Sequence, residues 1–93
     1  MNTKLIILGG NSIKNKDWVI NCREYLKETF PNIDSLNYNH WNDPENSKVN
    51  ISIESEKLIE KINETEDFII LAKSIGILIS LTTIIENKLA PKT

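Results

Sequence analysis

The sequence predicts one α/β domain: three layers, α/β/α, around a short parallel sheet with strand order 2-1-3. Three observations predict it. Short apolar runs at Lys4–Leu8 (KLIIL) and Asp67–Leu71 (DFIIL) have the length of buried strands, and Ile33–Tyr38 (IDSLNY) is a weaker strand candidate between them. Segments with helical spacing of apolar residues come between and after them. Strands that alternate with helices are joined by crossovers, and crossover connections make parallel neighbours. The right-handed rule for such crossovers then restricts the order, with the first strand in the middle.

Each element has its own signal. Lys4–Leu8 is closed by Gly9-Gly10-Asn11, a turn signal. From Asp17 to Phe30 the spacing is helical, with Trp18, Cys22, Tyr25 and Leu26 on one face and Val19 and Phe30 flanking it. Pro31 stops this helix, because the residue before a proline avoids helical dihedrals. Ile33–Tyr38 is the weaker second strand. The polar stretch 39–48 (NHWNDPENSK) holds Asp43-Pro44, a turn pair. Asn50 is a suitable cap for a helix to about Asn63, with Ile51, Leu58, Ile59 and Ile62 toward the core. Ala72-Lys73-Ser74-Ile75-Gly76 joins the third strand directly to a last helix reaching about Leu89, before Pro91.

Composition narrows the partners. The 93 residues make one small domain with a thin stability margin. Hydrophobic residues at 40% and charged residues at 26% exclude a disordered chain. The net charge of −2 and the scattered Lys and Arg lack the basic stripe of a nucleic-acid binder. The lone Cys22 allows no internal disulfide and fits the cytoplasm. The apolar run at the N-terminus is shorter than the roughly 7–15 residues of a signal peptide or the roughly 20 of a membrane span. The expectation is a cytoplasmic protein without a membrane partner. No Cys/His cluster suggests a metal, and no motif suggests a cofactor.

In open parallel sheets the ligand site lies beyond the carboxyl ends of the strands, where the order reverses. Here that point falls between Gly9-Gly10-Asn11 and Ala72–Gly76. The second segment has the form strand, small-x-Ser-x-Gly, helix, which is the pattern of a nucleophile elbow. The chemistry needs a serine on a very tight turn, with small residues two before and two after it. Ala72 and Gly76 are those residues. The N–H of Ile75 would be one oxyanion donor, and Gly10 or Asn11 the second. The other reading of Ser74 is an ordinary N-cap of the last helix.

LIILGGN with the KNKDW helix start, the YNHW segment and FIILAKSIG together resemble a small bacterial group in the α/β-hydrolase superfamily. The resemblance covers essentially all 93 residues, which would correspond to about the first half of such a fold. It implies Ser74 as nucleophile and Gly9-Gly10-Asn11 as the oxyanion segment. Ala72 stands where the common pattern has its first glycine. In the family the acid and then the histidine follow the serine, and no histidine follows Ser74 here. Glu86 lies in the last helix and is not assigned a role. The expected substrate is a small ester-like molecule, and the chain as given is expected to turn over little.

The remaining candidates have plainer readings. His40 precedes Ser74 and lies just past strand 2, two strand spacings from strand 3; as a catalytic base it would need a long loop excursion to reach Ser74, so it is expected to pack with Trp41 or line a pocket. Lys73 is read as solvated, Cys22 and Trp18 as core, and Asp43 as a turn residue. The last helix is apolar nearly all round, and strand 3 is an unprotected edge. Further chain or another subunit is expected to cover them, self-association through both being one form. A monodisperse, stable monomer would count against this. Two other functions stay open. One is a flavodoxin-like or Rossmann-like phosphate or nucleotide module at Gly9–Ser12, which lacks the usual glycine fingerprint. The other is a non-catalytic interaction domain.

Overall fold

The computed structural model describes residues 3–42, 48–63, 67–89 and 91, so the expected Asp43-Pro44 turn lies outside the described residues. The sheet is parallel, with β1 (Lys4–Leu8) between β2 (Ile33–Leu36) and β3 (Phe68–Ala72). The order 2-1-3 is the expected one. Leu8 pairs with Leu36 on one side and Ala72 on the other, so all three strands end level. Flanked on both edges and covered on both faces, Leu5, Ile6, Ile7 and Leu8 are all buried. That explains why β1 reads as a continuous apolar run rather than an alternating one.

Helix α1 (Asn15–Leu26) packs on β1 and β2. It ends a turn earlier than expected, and Phe30 follows in a turn whose N–H donates to the Leu26 carbonyl at 2.9 Å. Val19 is buried, and Trp18, Cys22 and Leu26 are half-buried against the core. Tyr25 departs from the expectation and is 87% exposed. The buried stripe is centred on Val19, and Tyr25 is carried round the helix away from it.

β2 is shorter than expected. Its end leads into a 3₁₀ turn at Asn39–Asn42, with Tyr38 just before it. Helix α2 (Ile51–Ile62) starts as the sequence predicts, with Asn50 Oδ1 accepting the Ile53 N–H at 3.1 Å. Leu58 and Ile62 are buried, with Ile51 and Ile59 half-buried. Glu54 is buried as well: its carboxylate accepts the Asn39 N–H at 3.0 Å and pairs with Lys57 Nζ at 2.9 Å. It fastens α2 to the turn after β2.

Helix α3 (Ile75–Asn87) lies beside α2. Ile79 and Thr83 are fully buried, whereas Ile77, Leu78, Leu81 and Ile85 are exposed, Ile85 by 73%. The apolar surface on all sides of α3 is therefore real, and part of it faces outward. Among the described residues, no helix is long and apolar enough to cross a membrane.

Opposite the level strand ends, buried Lys4 lies 3.6 Å from Asp34, and Lys61 reaches the same carboxylate at 2.9 Å. Partial burial alone would raise the Asp34 pKa. The hydrogen bonds from Lys61 and the Ser35 N–H, with both lysine charges, outweigh it and hold the carboxyl below its ordinary value.

The burial contrast between helices sets an expected outcome. Leu58→Ala should lower the unfolding free energy by about 2–5 kcal/mol, as truncation of a buried leucine does. Leu81→Ala, on the exposed side of α3, should stay within about 0.5 kcal/mol of the parent. Urea denaturation midpoints of the two variants check this.

Candidate functional site

The site begins where β3 becomes α3. The Lys73 N–H donates to the Leu8 carbonyl at 3.0 Å, extending the β1–β3 pairing one residue past the strand. The chain then reverses at once. The Gly76 N–H donates to the Lys73 carbonyl at 3.0 Å, and the Ile77 N–H to the Ser74 carbonyl at 2.9 Å. Ser74 takes up the bend with φ 55° and ψ −124°. That lies outside the left-handed helical well, where an isolated positive φ is usually found. Lys88, at φ 52° and ψ 46°, does lie in that well, as an ordinary left-handed cap of α3. Dihedrals like those of Ser74 cost a non-glycine residue about 1–3 kcal/mol.

The N-cap reading of Ser74 fails on geometry. A capping serine has extended dihedrals and accepts a hydrogen bond from the first turn. Ser74 has neither the dihedrals nor the bond, and it is exposed.

Gly76 is fixed by distance. A Cβ there would sit 2.8 Å from Leu8 Cβ and 2.9 Å from the Gly9 carbonyl oxygen. The small residue after the serine therefore lets α3 press on the end of β1. The same contact brings the two glycine-containing segments together, as the sequence predicts.

The loop Gly9-Gly10-Asn11 is held from the opposite side by Tyr38, His40 and Trp41, a hold that the sequence did not predict. Tyr38 donates its O–H to the Gly9 carbonyl at 2.6 Å. His40 Nε2 meets the Asn11 carbonyl at 2.5 Å, and Trp41 Nε1 donates to the same oxygen at 3.1 Å. A carbonyl only accepts, so Nε2 carries the hydrogen. Among the described residues, Nδ1 of His40 is buried without a hydrogen-bond partner. The Asn11 side chain accepts the Val49 N–H at 3.0 Å. Tyr38 stacks on His40 with ring centroids 5.8 Å apart and tilts against Trp41 at 4.8 Å. His40 thus packs with Trp41, as expected, and its ring serves the loop. Burial, reinforced by the negative charge of Glu54, pushes the Tyr38 phenol well above its ordinary pKa.

These contacts direct the loop's donors. In a planar trans peptide the C=O and the next N–H point opposite ways. With the Gly9 carbonyl turned to Tyr38, the Gly10 N–H points away from it. Among the described residues, neither the Gly10 N–H nor the Ile75 N–H is given to a backbone acceptor. A side chain at Gly10 would collide with the Asn15 amide, its Cβ 2.9 Å from Oδ1.

Around the turn, Lys73 departs in part from its expected role. It is exposed, but its ammonium stands over the Trp18 ring, 5.2 Å from the centroid. Burial raises the Cys22 thiol pKa against the opposing charge of Lys73, which suits a packing residue more than a nucleophile. At the start of α1, Ser12 Oγ accepts the Lys14 N–H at 3.2 Å. The Ser12 and Ile13 carbonyls accept the N–H groups of Asn15 and Lys16, both at 2.9 Å. Among the described residues, no three His, Cys, Asp or Glu side chains converge as a metal site.

No protein-family model, no curated protein and no solved structure matches the chain.

Ser74→Gly should raise the thermal midpoint. It releases about 1–3 kcal/mol of backbone strain against about 0.5–1 kcal/mol for the freer unfolded glycine. Gly76→Ala should lower it, by about 1–3 kcal/mol for forcing a methyl into filled space. Calorimetry of the two variants measures both shifts.

Tyr38 also predicts an alkaline limb. Its pKa is raised on folding, so its contribution is complete below the ordinary value of 10.0 and is lost as pH rises beyond it. Urea midpoints between pH 9 and 11 should fall in the parent, and this component of the fall should be absent in Tyr38→Phe.

Proposed function

We propose that this chain carries the nucleophile of a serine hydrolase of the α/β-hydrolase type, acting on an ester or related acyl bond. The observation that carries the reading is the backbone of Ser74: an exposed serine, strained at φ 55° and ψ −124°, between a parallel strand and a helix. Strain of this size at an uncapped position needs a reason, and holding a hydroxyl above the sheet is one.

Ser74 Oγ attacks the acyl carbon, and its proton passes to a base. The carbonyl electron pair moves onto oxygen, which accepts hydrogen bonds from the N–H groups of Ile75 and of Gly10 or Asn11. Collapse expels the alcohol, which takes up the proton, and water then releases the acyl group by the same steps. Losing one such donor costs about 2.7–4 kcal/mol of transition-state stabilisation in comparable enzymes. His40 is engaged at Asn11, so the proposal puts the base and its carboxylate partner outside the described residues.

The phosphate reading of Gly9–Ser12 has less support. The N–H groups of Lys14, Asn15 and Lys16, which a phosphate at the start of α1 would use, already have acceptors in Ser12 and Ile13.

In the complete protein, with its base and carboxylate partner, a fluorophosphonate should label Ser74, located by peptide mass spectrometry, and Ser74→Ala should abolish the label. A folded, full-length protein that takes no label at Ser74 would sink the proposal.

A further inference from the structure

The structure assigns Tyr38, His40 and Trp41 a task beyond packing: we infer that they are positioning residues that hold the Gly9 and Asn11 carbonyls at the two ends of the loop, so that the Gly10 N–H, opposite the Gly9 carbonyl in its peptide, faces the oxyanion. The inference rests on the hydrolase reading of Ser74.

Three donors from one short stretch meet two carbonyls of one loop. The bonds span 29, 29 and 30 residues of sequence, so they are tertiary and not turn-forming. The bonded atoms are the phenol, the imidazole and the indole N–H. An apolar cluster would fill the same space without them.

The carbonyl direction matters for charge. A carbonyl oxygen carries the negative end of the peptide dipole. Pointed into the site, the Gly9 oxygen would repel a developing oxyanion, whereas its reversal presents the Gly10 N–H; the bonds from His40 and Trp41 to the Asn11 carbonyl fix the other end of the loop. The Gly9 carbonyl also lies against α3, 2.9 Å from where a Gly76 Cβ would stand. Tyr38 therefore fixes this peptide where the loop meets the Ser74 turn. Glu54, bonded to the Asn39 N–H, anchors the turn that carries His40 and Trp41. The Val49 N–H on Asn11 Oδ1 adds a fourth hold on the loop.

The test is the rate at which diisopropyl fluorophosphate labels Ser74 in the complete protein, with its base and carboxylate partner. The variants are Tyr38→Phe, Trp41→Phe, His40→Phe and His40→Gln. Ile62→Val, a buried change at the far end of α2, controls for lost stability, and every variant is assayed below its thermal midpoint. Tyr38→Phe and His40→Phe should slow labelling roughly 10- to 100-fold, the effect of a misplacement of about 1 Å. His40→Gln, whose amide N–H can reach where Nε2 stood, should recover part of the rate. Ile62→Val should label at the parental rate. Labelling at the parental rate in Tyr38→Phe, Trp41→Phe and His40→Phe overturns the inference, as does slowing that follows the loss of stability. A parent protein that takes no label overturns the reading of Ser74 itself, and the inference falls with it.

Discussion

The close approach of α3 to the end of β1 is the constraint on which the rest depends. With 2.8 Å between Leu8 Cβ and the place a Gly76 Cβ would occupy, only glycine fits without a shift. A helix that close to the strand end leaves no length for a relaxed connection. The bend from β3 therefore falls on one residue, and Ser74 takes dihedrals that serine otherwise avoids. Because Gly76 also touches Gly9, the position of the β1 loop is set by the same approach.

The aromatic cluster after β2 answers a related demand. A loop of two glycines and an asparagine has little conformational preference of its own. Its shape must be imposed from outside, and side-chain donors on its carbonyls do so. Tyr38 suits the task because burial keeps its phenol protonated across the ordinary pH range. Glu54 tolerates its own burial because the Asn39 N–H and Lys57 satisfy its charge. The polar atoms in this part of the core thus have a common object, the geometry of a three-residue loop.

Much of this was legible in the sequence, and the limits are physical. The three strands, their order and the small-x-Ser-x-Gly turn followed from apolar runs and glycine placement, because those patterns report burial and steric room directly. Tyr25 was misplaced because two adjacent faces of α1 carry apolar residues and the period alone does not choose between them. The short β2 was overextended because Tyr38 is as buried as a strand residue while lying beyond the strand. The clamp on the loop was missed since a hydrogen bond spanning 29 residues leaves no periodic trace. The only available signal was the YNHW run at the carboxyl end of β2, where aromatic residues with polar tips lie beside the expected site. Glu54 had no such signal, as its spacing on α2 is that of an ordinary solvated glutamate.

The central place of β1 also governs how the chain comes together. Leu5 pairs with Ile33 on one side, while Lys4 waits for Phe68, 64 positions later, on the other. During synthesis the most buried strand therefore spends a long interval with one edge open. Closing that distant pair is the slow entropic step in a topology of this kind. The Ser74 bend follows the last strand to arrive and hangs on its Lys73–Leu8 hydrogen bond, so it can tighten only as that edge closes. Its strain then belongs to the end of folding, where it bears more on how long the native state lasts than on how quickly it is reached.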